Sequence, residues 1–346
     1  MAPCLLKYSS HAEGRMFKKK QKKIRYAVIG LGEISYSGIL PNFSRASQNS
    51  ELVAIVSRSS EKLRFYSEKY HIPHTFLMKD ILHLLNSSLI DAIYIATPYP
   101  IAQEIAELAS EKEIHILSDK PISLKNNSQK VMIAYRHLLE SANIEIQKFV
   151  HDGKIGEPRI FNSTLSYHSE DRDERLLYNL GGSCINIARR IFKSDPIEVF
   201  ANSHSKDTIS LILKFPKGQL ANLNISSESI QTSDYEIIGT TGRLRLEEAY
   251  EYAKSMTMKF YEKNKITIKR YPRRDLFSRI LLSFSSTIQN NKTSIETGTD
   301  DIRIIKAIEL SLDLGTPISL SDFTRRKKKD FDVSSLPSNE PTWMNQ

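Results

Sequence analysis

The chain has 346 residues, 40% of them hydrophobic and 26% charged, enough for a packed core in one large domain or two of ordinary size. Its apolar runs, such as Leu52 to Val56, are strand-sized and far short of the ~20 residues a bilayer requires, so no membrane role is expected. The formal charge of +9 is concentrated in Lys18, Lys19, Lys20, Lys22 and Lys23 and again from Arg325 to Lys329, runs of the kind that form solvated tails. No zinc-finger spacing or glycine–aromatic RNA-binding motif lies between them, so neither a nucleic-acid partner nor a metal site is expected.

Cys4 and Cys184 are the only cysteines, which excludes a disulfide framework and fits a reducing cytoplasm. Residues 1–23 read as a basic, disordered extension without the apolar centre of a signal peptide, and Met16 is the expected start of translation. Residues 24–135 then read as an α/β domain. Tyr26 to Ile29 forms a strand, Gly30 to Ser35 a turn, and an amphipathic helix runs to about Ser47. Leu52–Val56 is a second strand followed by a helix from Ser60 to Tyr70. Ala92–Ala96 is a third strand, followed by a helix from Ile101 to Glu111, and Ile114–Leu117 is a fourth, ending in Ser118-Asp119-Lys120-Pro121. This alternation predicts a doubly wound parallel sheet of Rossmann type, with ligands at the carboxyl ends of its strands.

The glycine turn carries the chemistry of that domain. Gly30 permits the tight turn, Gly32 lets backbone approach a pyrophosphate, and Glu33 and Ile34 open the helix whose N-terminus faces the anion. At the end of the second strand an NAD site usually places a carboxylate on the ribose hydroxyls. Here Ser57 and Arg58 stand there, with Lys62 close behind, which suits the extra phosphate of NADP and favours it over NAD. Ala96, Thr97 and Pro98, with Asp119 and Lys120, complete the expected cofactor edge.

Residues 136–322 read as an α+β domain with an open, largely antiparallel sheet. Its strands are expected at Arg159–Tyr167, Ile209–Phe215, Leu220–Ile225, Tyr235–Ile238 and Leu244–Leu246, and its helices at Leu276–Gln289 and Asp301–Leu314. Residues 323–346 form a basic, polar tail.

IRYAVIGLGEIS, LVAIVSRSSEKLRFYSEKYHI, AIYIATPYP, HILSDKPIS, GGSCINIARRIF and DYEIIGTTGRLRL, in that order, resemble the Gfo/Idh/MocA oxidoreductases, on the glucose–fructose oxidoreductase and dihydrodiol dehydrogenase side of the family. The resemblance covers about residues 24–320. It implies hydride transfer between a sugar- or polyol-like hydroxyl and a nicotinamide, and self-association through the C-terminal sheet. It also implies that Lys120 takes the place of the lysine in the family's Glu-Lys-Pro motif, beside the reacting hydroxyl. Relatives carry Asp and then His or Tyr on the helix that GGSCINIARRIF occupies. Here those positions are Asn186 and Arg190, an amide and a cation that cannot accept a proton.

Lys120, His137 and His168 stand as alternative bases, and Arg190 as an anchor for an anionic substrate. Tyr99 and Ala102 replace the Asn and His that relatives place after Thr-Pro. Only nine residues separate Pro121 from Val131, where relatives insert a helix. The expectation is a bare loop, or a last strand outside the sheet, with one sheet face partly uncovered and stability lowered unless an oligomer shields it. Three readings follow: an NADP-dependent oxidoreductase, a nucleotide-binding relative without turnover, or a basic protein that uses its tails on nucleic acid or a membrane surface.

Overall fold

The computed structural model describes residues 22–124, 130–168, 176–205, 207–251, 254–292 and 298–323. Both expected tails therefore lie largely outside the described residues, as do residues 125–129 of the short link after Pro121. No helix among the described residues is long and apolar enough to cross a membrane.

The first sheet comprises β1 (Ile24–Ile29), β2 (Ser50–Ser57), β3 (His74–Leu77), β4 (Ala92–Ile95), β5 (His115–Ser118) and β6 (Val131–Ile133), all parallel, in the order β3-β2-β1-β4-β5-β6. Strands β1 and β4 are almost wholly buried, because helices cover both faces of a parallel sheet. The helix expected after the glycine turn forms as a π-helical run, Ile34–Ile39, that passes into α1 (Leu40–Asn42). Pro41 has no N–H to donate, and the Leu40 amide reaches back to Ser35, five residues away. Helix α2 (Ser60–Tyr70) starts where expected, capped by Ser59, whose Oγ accepts from the Lys62 amide at 3.2 Å. Helices α3 (Ile81–Leu85) and α4 (Tyr99–Glu111) complete this half.

The uncovered face does not materialise. Strand β6 stays in the sheet, pairing Ile116 with Val131 and Ser118 with Ile133. Val131 and Ile133 are each 2% exposed, packed with Ile122, Leu124 and Leu138. Gln103 on α4 clamps the segment after Pro121 to the sheet, accepting from the Ser123 amide at 2.9 Å and donating to its carbonyl. Ile122 and Leu124 in the described part of the link, with Leu138 after β6, thus cover Val131 and Ile133, so among the described residues this strand is not left bare.

The second sheet runs β14-β13-β12-β11-β7-β10-β9-β8-β15, antiparallel except between β7 (Pro158–His168) and β10 (Leu220–Ser226). Its other strands are β8 (Glu198–Ser205), β9 (Thr208–Lys214), β11 (Glu228–Gly239), β12 (Gly242–Glu247), β13 (Met256–Glu262), β14 (Lys265–Tyr271) and β15 (Ile318–Ser319). Helices α5 (Ser141–His151), α6 (Gly182–Phe192) and α8 (Thr299–Leu314) pack on its inner face over Phe161, Leu213, Ala221, Ile237 and Leu244. The outer face carries a row of Ile212, Asn222, Asn162, Glu236, Arg245, Lys259 and Ile268, and beside it a row in which Leu220, Ile160, Ile238, Arg243, Tyr261 and Ile266 lie in register, so polar and apolar side chains share this face. Helix α7 (Phe277–Gln289) belongs by sequence to the second half but packs on the first sheet, with Phe277, Ile280, Leu281 and Phe284 against Tyr26, Tyr94 and Leu117.

Candidate active site

The strand order reverses between β1 and β4, and the expected nucleotide residues gather at the carboxyl ends of these strands. Gly30 leaves β1 with a φ of +92°, and a Cβ there would stand 2.8 Å from the Ala96 carbonyl oxygen. Only glycine lets this turn close against β4. Ser35 Oγ donates to the Gly30 carbonyl at 2.6 Å and fixes the loop. No atom lies within 4 Å of a Cβ built at Gly32, so the turn is open at the point where a dinucleotide-binding fingerprint brings backbone close to a pyrophosphate. Thr97 is buried, yet its Oγ1 has no hydrogen-bond partner among the described residues, and Pro98 caps α4 beside it. An open turn beside an orphaned hydroxyl fits a dinucleotide.

At the end of β2, Ser57 Oγ accepts from the Ser59 amide at 3.2 Å, so both serines are engaged in the turn. Arg58 is exposed there, and Lys62 Nζ reaches the Leu31 carbonyl at 3.4 Å. The end of β2 is therefore cationic.

Three positions along the sheet from β2, β5 delivers Asp119 and Lys120. The Asp119 amide donates to the Ile95 carbonyl at 3.1 Å, and Lys120 Nζ lies 3.3 Å from Asp119 Oδ2. Together they line a cavity with Tyr135, Arg136, His137, Glu140 and Asn179. Helix α6 starts directly on this turn: a Cβ at Gly182 would meet Pro121 Cγ at 3.0 Å and Tyr135 Oη at 3.2 Å.

The predicted trio is only partly brought together. Asn186 is buried, with Oδ1 3.0 Å from His137 Nε2 and accepting from Arg190 Nε at 3.0 Å, while Nδ2 donates to Asp301 Oδ2 at 3.0 Å. Arg190 lines a second cavity with His151, Arg189 and Lys193, apart from the cavity that Lys120 lines. Asp301, 0% exposed on α8, also accepts from Tyr135 Oη at 2.7 Å and from Arg189 Nη1 at 2.7 Å. Burial pushes its carboxyl up from the usual range, opposed by Arg189 and the hydrogen bonds from Tyr135, Asn186 and Arg189. Of the two candidate histidines, His168 is exposed at the end of β7, whereas His137 is buried against the Lys120 cavity.

Tyr99 also has a structural account. Its ring stacks on Tyr178 at 3.6 Å, and Tyr178 Oη donates to Glu309 Oε2 at 2.8 Å, joining α4 to the α6–α8 layer. Sequence reasoning missed Asp301 and Tyr135. The pair Asp300-Asp301 reads as an acidic first turn favourable to the helix dipole, and nothing local marks the second carboxylate as buried.

Burial lowers the His137 imidazole to about 4, with the Arg190 and Arg136 cations acting in the same direction and the Asn186 bond opposing them. The unfolded chain takes up this proton below its ordinary pKa of about 6.5, and the folded chain does not until about pH 4. Stability is thus complete above pH 6.5 and falls as pH drops towards 4, by roughly 3 kcal/mol from this residue. Chemical denaturation at a series of pH values checks this against His137→Gln. The variant is expected to lose most of that slope, and an unchanged slope would contradict the assignment.

Family comparison agrees with the geometry. A model described as the oxidoreductase family with NAD-binding Rossmann fold matches residues 24–141, and the GFO/IDH/MocA C-terminal domain matches residues 144–245. An uncharacterized oxidoreductase, YrbE of Bacillus subtilis, is 24% identical over 86% of this chain and 97% of its own length. An NADP(+)-dependent D-xylose 1-dehydrogenase of Haloarcula marismortui is 25% identical over 66% of this chain and 73% of its own. Among solved structures, the aldose–aldose oxidoreductase of Caulobacter crescentus, complexed with glycerol, superposes with a TM-score of 0.75 at 26% identity, covering 86% of this chain and all of that one. A 3-ketoreductase of Actinomadura kijaniata, solved with NADP and TDP-benzene, gives a TM-score of 0.73 at 19% identity over 84% of this chain and 98% of that one. With a dinucleotide groove on a 3-2-1-4-5-6 sheet joined to a mostly antiparallel second sheet, the chain belongs to the Gfo/Idh/MocA family of oxidoreductases.

Proposed function

We propose that the protein is an NADP-dependent oxidoreductase, with NAD the weaker cofactor, that exchanges hydride with a CH–OH group of a sugar- or polyol-like compound. The observation that carries this reading is the shared sheet edge. The open glycine turn, the unpartnered Thr97 hydroxyl and the Lys120 cavity lie at adjacent strand ends. A bound nicotinamide supplies the two-electron acceptor or donor. Gly30, Gly32, Glu33 and Ile34 hold the pyrophosphate, Arg58 takes the ribose phosphate, and Ala96, Thr97, Pro98 and Asp119 line the groove. Lys120, tied to Asp119, donates to the reacting oxygen and stabilises its developing negative charge.

The lining also bears on substrate class. Asp119, Glu140 and Glu251 line the cavity together with Lys120 and Arg136, a balance of charge that favours a neutral polyhydroxylated compound over an anion. The anionic alternative rested on Arg190, which lines the other cavity.

Titration with NADPH and NADH, followed by a panel of sugars and polyols, tests the proposal. NADPH should bind more tightly, and Arg58→Ala should weaken it by about tenfold with little effect on NADH. Failure to bind either nucleotide would sink the reading. One observation favours a nucleotide-binding relative without turnover: the α6 face presents an amide and a guanidinium where a base is needed. Tight NADPH binding with no turnover across the panel would select it.

A further inference from the structure

We propose that His137 is the proton acceptor of this site, set in its working tautomer by Asn186 and Arg190. The inference rests on the oxidoreductase reading above, and it follows from an obligatory chain of donors and acceptors. A guanidinium can only donate, so Arg190 Nε, at 3.0 Å, fixes the oxygen of the Asn186 amide towards itself. The amide nitrogen then points at Asp301 Oδ2, 3.0 Å away, where it donates to a carboxylate. The same Asn186 oxygen meets His137 Nε2 at 3.0 Å, so Nε2 must carry the hydrogen. In a neutral ring, Nδ1 is left with a free lone pair.

His137 lines the cavity that holds Lys120, and its ring lies 5.0 Å from that of Tyr135. The charged groups around it come from several elements. Arg190 reaches it through Asn186 from α6, and Asp301 does so from α8. Arg136 adjoins it in the chain, while Asp119, Lys120, Glu140 and Glu251 share the cavity. Burial and the two arginines keep the imidazole unprotonated at neutral pH. With the cofactor bound, the hydroxyl would pass its proton to Nδ1 as the C–H electron pair left as hydride for the nicotinamide and the C–O bond became a carbonyl. The reverse reaction would deliver a proton drawn from solvent to the oxygen through the same nitrogen, the imidazolium forming only in passing because burial holds the resting ring neutral, while Lys120 steadies the developing charge.

The substitution on α6 thus acquires a positive role. Arg190 is no base itself; it orients the amide that orients the imidazole. Asn186 and Arg190 are positioning residues, and His137 is the catalytic one.

Two measurements test this. Nitrogen-15 NMR of the histidine-labelled full chain reads the tautomer without substrate or cofactor. The His137 signal should show a protonated Nε2 and an unprotonated Nδ1 from pH 6 to 8. Asn186→Leu, which removes the acceptor, should mix the two tautomers. An Nδ1–H tautomer or a charged ring in the wild type would overturn the inference.

The second measurement is His137→Gln, whose amide nitrogen can keep the bond to Asn186. It should lower kcat by about 10²–10⁴-fold with KM and NADPH affinity nearly unchanged. Added imidazole should recover part of the rate in His137→Ala. A wild type that turns over substrate while His137→Gln keeps its full rate overturns this proposal alone. A wild type that binds no nucleotide overturns the functional reading beneath it.

Discussion

Replacing Lys120 with methionine is expected to lower kcat/KM by about 10²–10³-fold, the cost of removing a donor aimed at developing oxyanion charge. Methionine keeps the length and apolar stem but loses the ammonium. Lys120 is largely buried, and its charge is steadied by Asp119 Oδ2 at 3.3 Å, so no water replaces it without reorganisation. The loss should fall on kcat, with NADPH affinity within a few-fold of wild type, because the proposed phosphate contacts lie at the ends of β1 and β2. Steady-state kinetics beside a nucleotide titration separate the two. A fall of less than fivefold would show that the reacting oxygen lies elsewhere.

The largest effect on stability is expected from Asp301→Ala, at about 3–5 kcal/mol, since breaking a buried ion pair strands the partner charge. The carboxylate accepts from Arg189, Tyr135 and Asn186 at 2.7, 2.7 and 3.0 Å, so one substitution leaves three donors to find new partners. Arg189 keeps Asp195 at 2.8 Å and Asp300 at 3.2 Å, which places the expectation towards the lower end of that range. Denaturant unfolding checks it, and a loss below 1 kcal/mol would remove Asp301 as the anchor between α6 and α8. Asn186→Asp is informative for the same reason. The family resemblance implies Asp at this position, yet here it would set a second carboxylate against Asp301, so this change alone should destabilise the fold rather than restore activity.

Much of the first domain was legible because its signals are local. The glycine turn, the strand-sized apolar runs and the Ser59 cap each depend on a few adjacent residues. The elements that escaped notice lack such signals. Strand β3 has four residues, and β14 is exposed along nearly its whole length, with Ile266 and Ile268 turned outward, so no buried alternation marks it. The link after Pro121 was misjudged for a different reason. Its residue count suggested an uncovered face, but Gln103 and a few apolar side chains close that face, and length carries no information about them.

The sequence by itself determined the dinucleotide turn, the order of strands and helices, the basic end of β2 in place of a carboxylate, and the shared face of Asn186 and Arg190 on one helix. Helical spacing dictates which residues share a face, but not what that face meets. Asp301 lies 115 residues from Asn186 and His137 lies 49 from it, and only the packing of α6 against α8 and the segment after β6 brings the three together. The tertiary structure alone decided that Arg190 serves the amide rather than the Lys120 cavity. It also decided that a histidine outside the family motif occupies that cavity. Those outcomes depend on which buried donors find acceptors once the chain is folded, a balance that no local window of sequence contains.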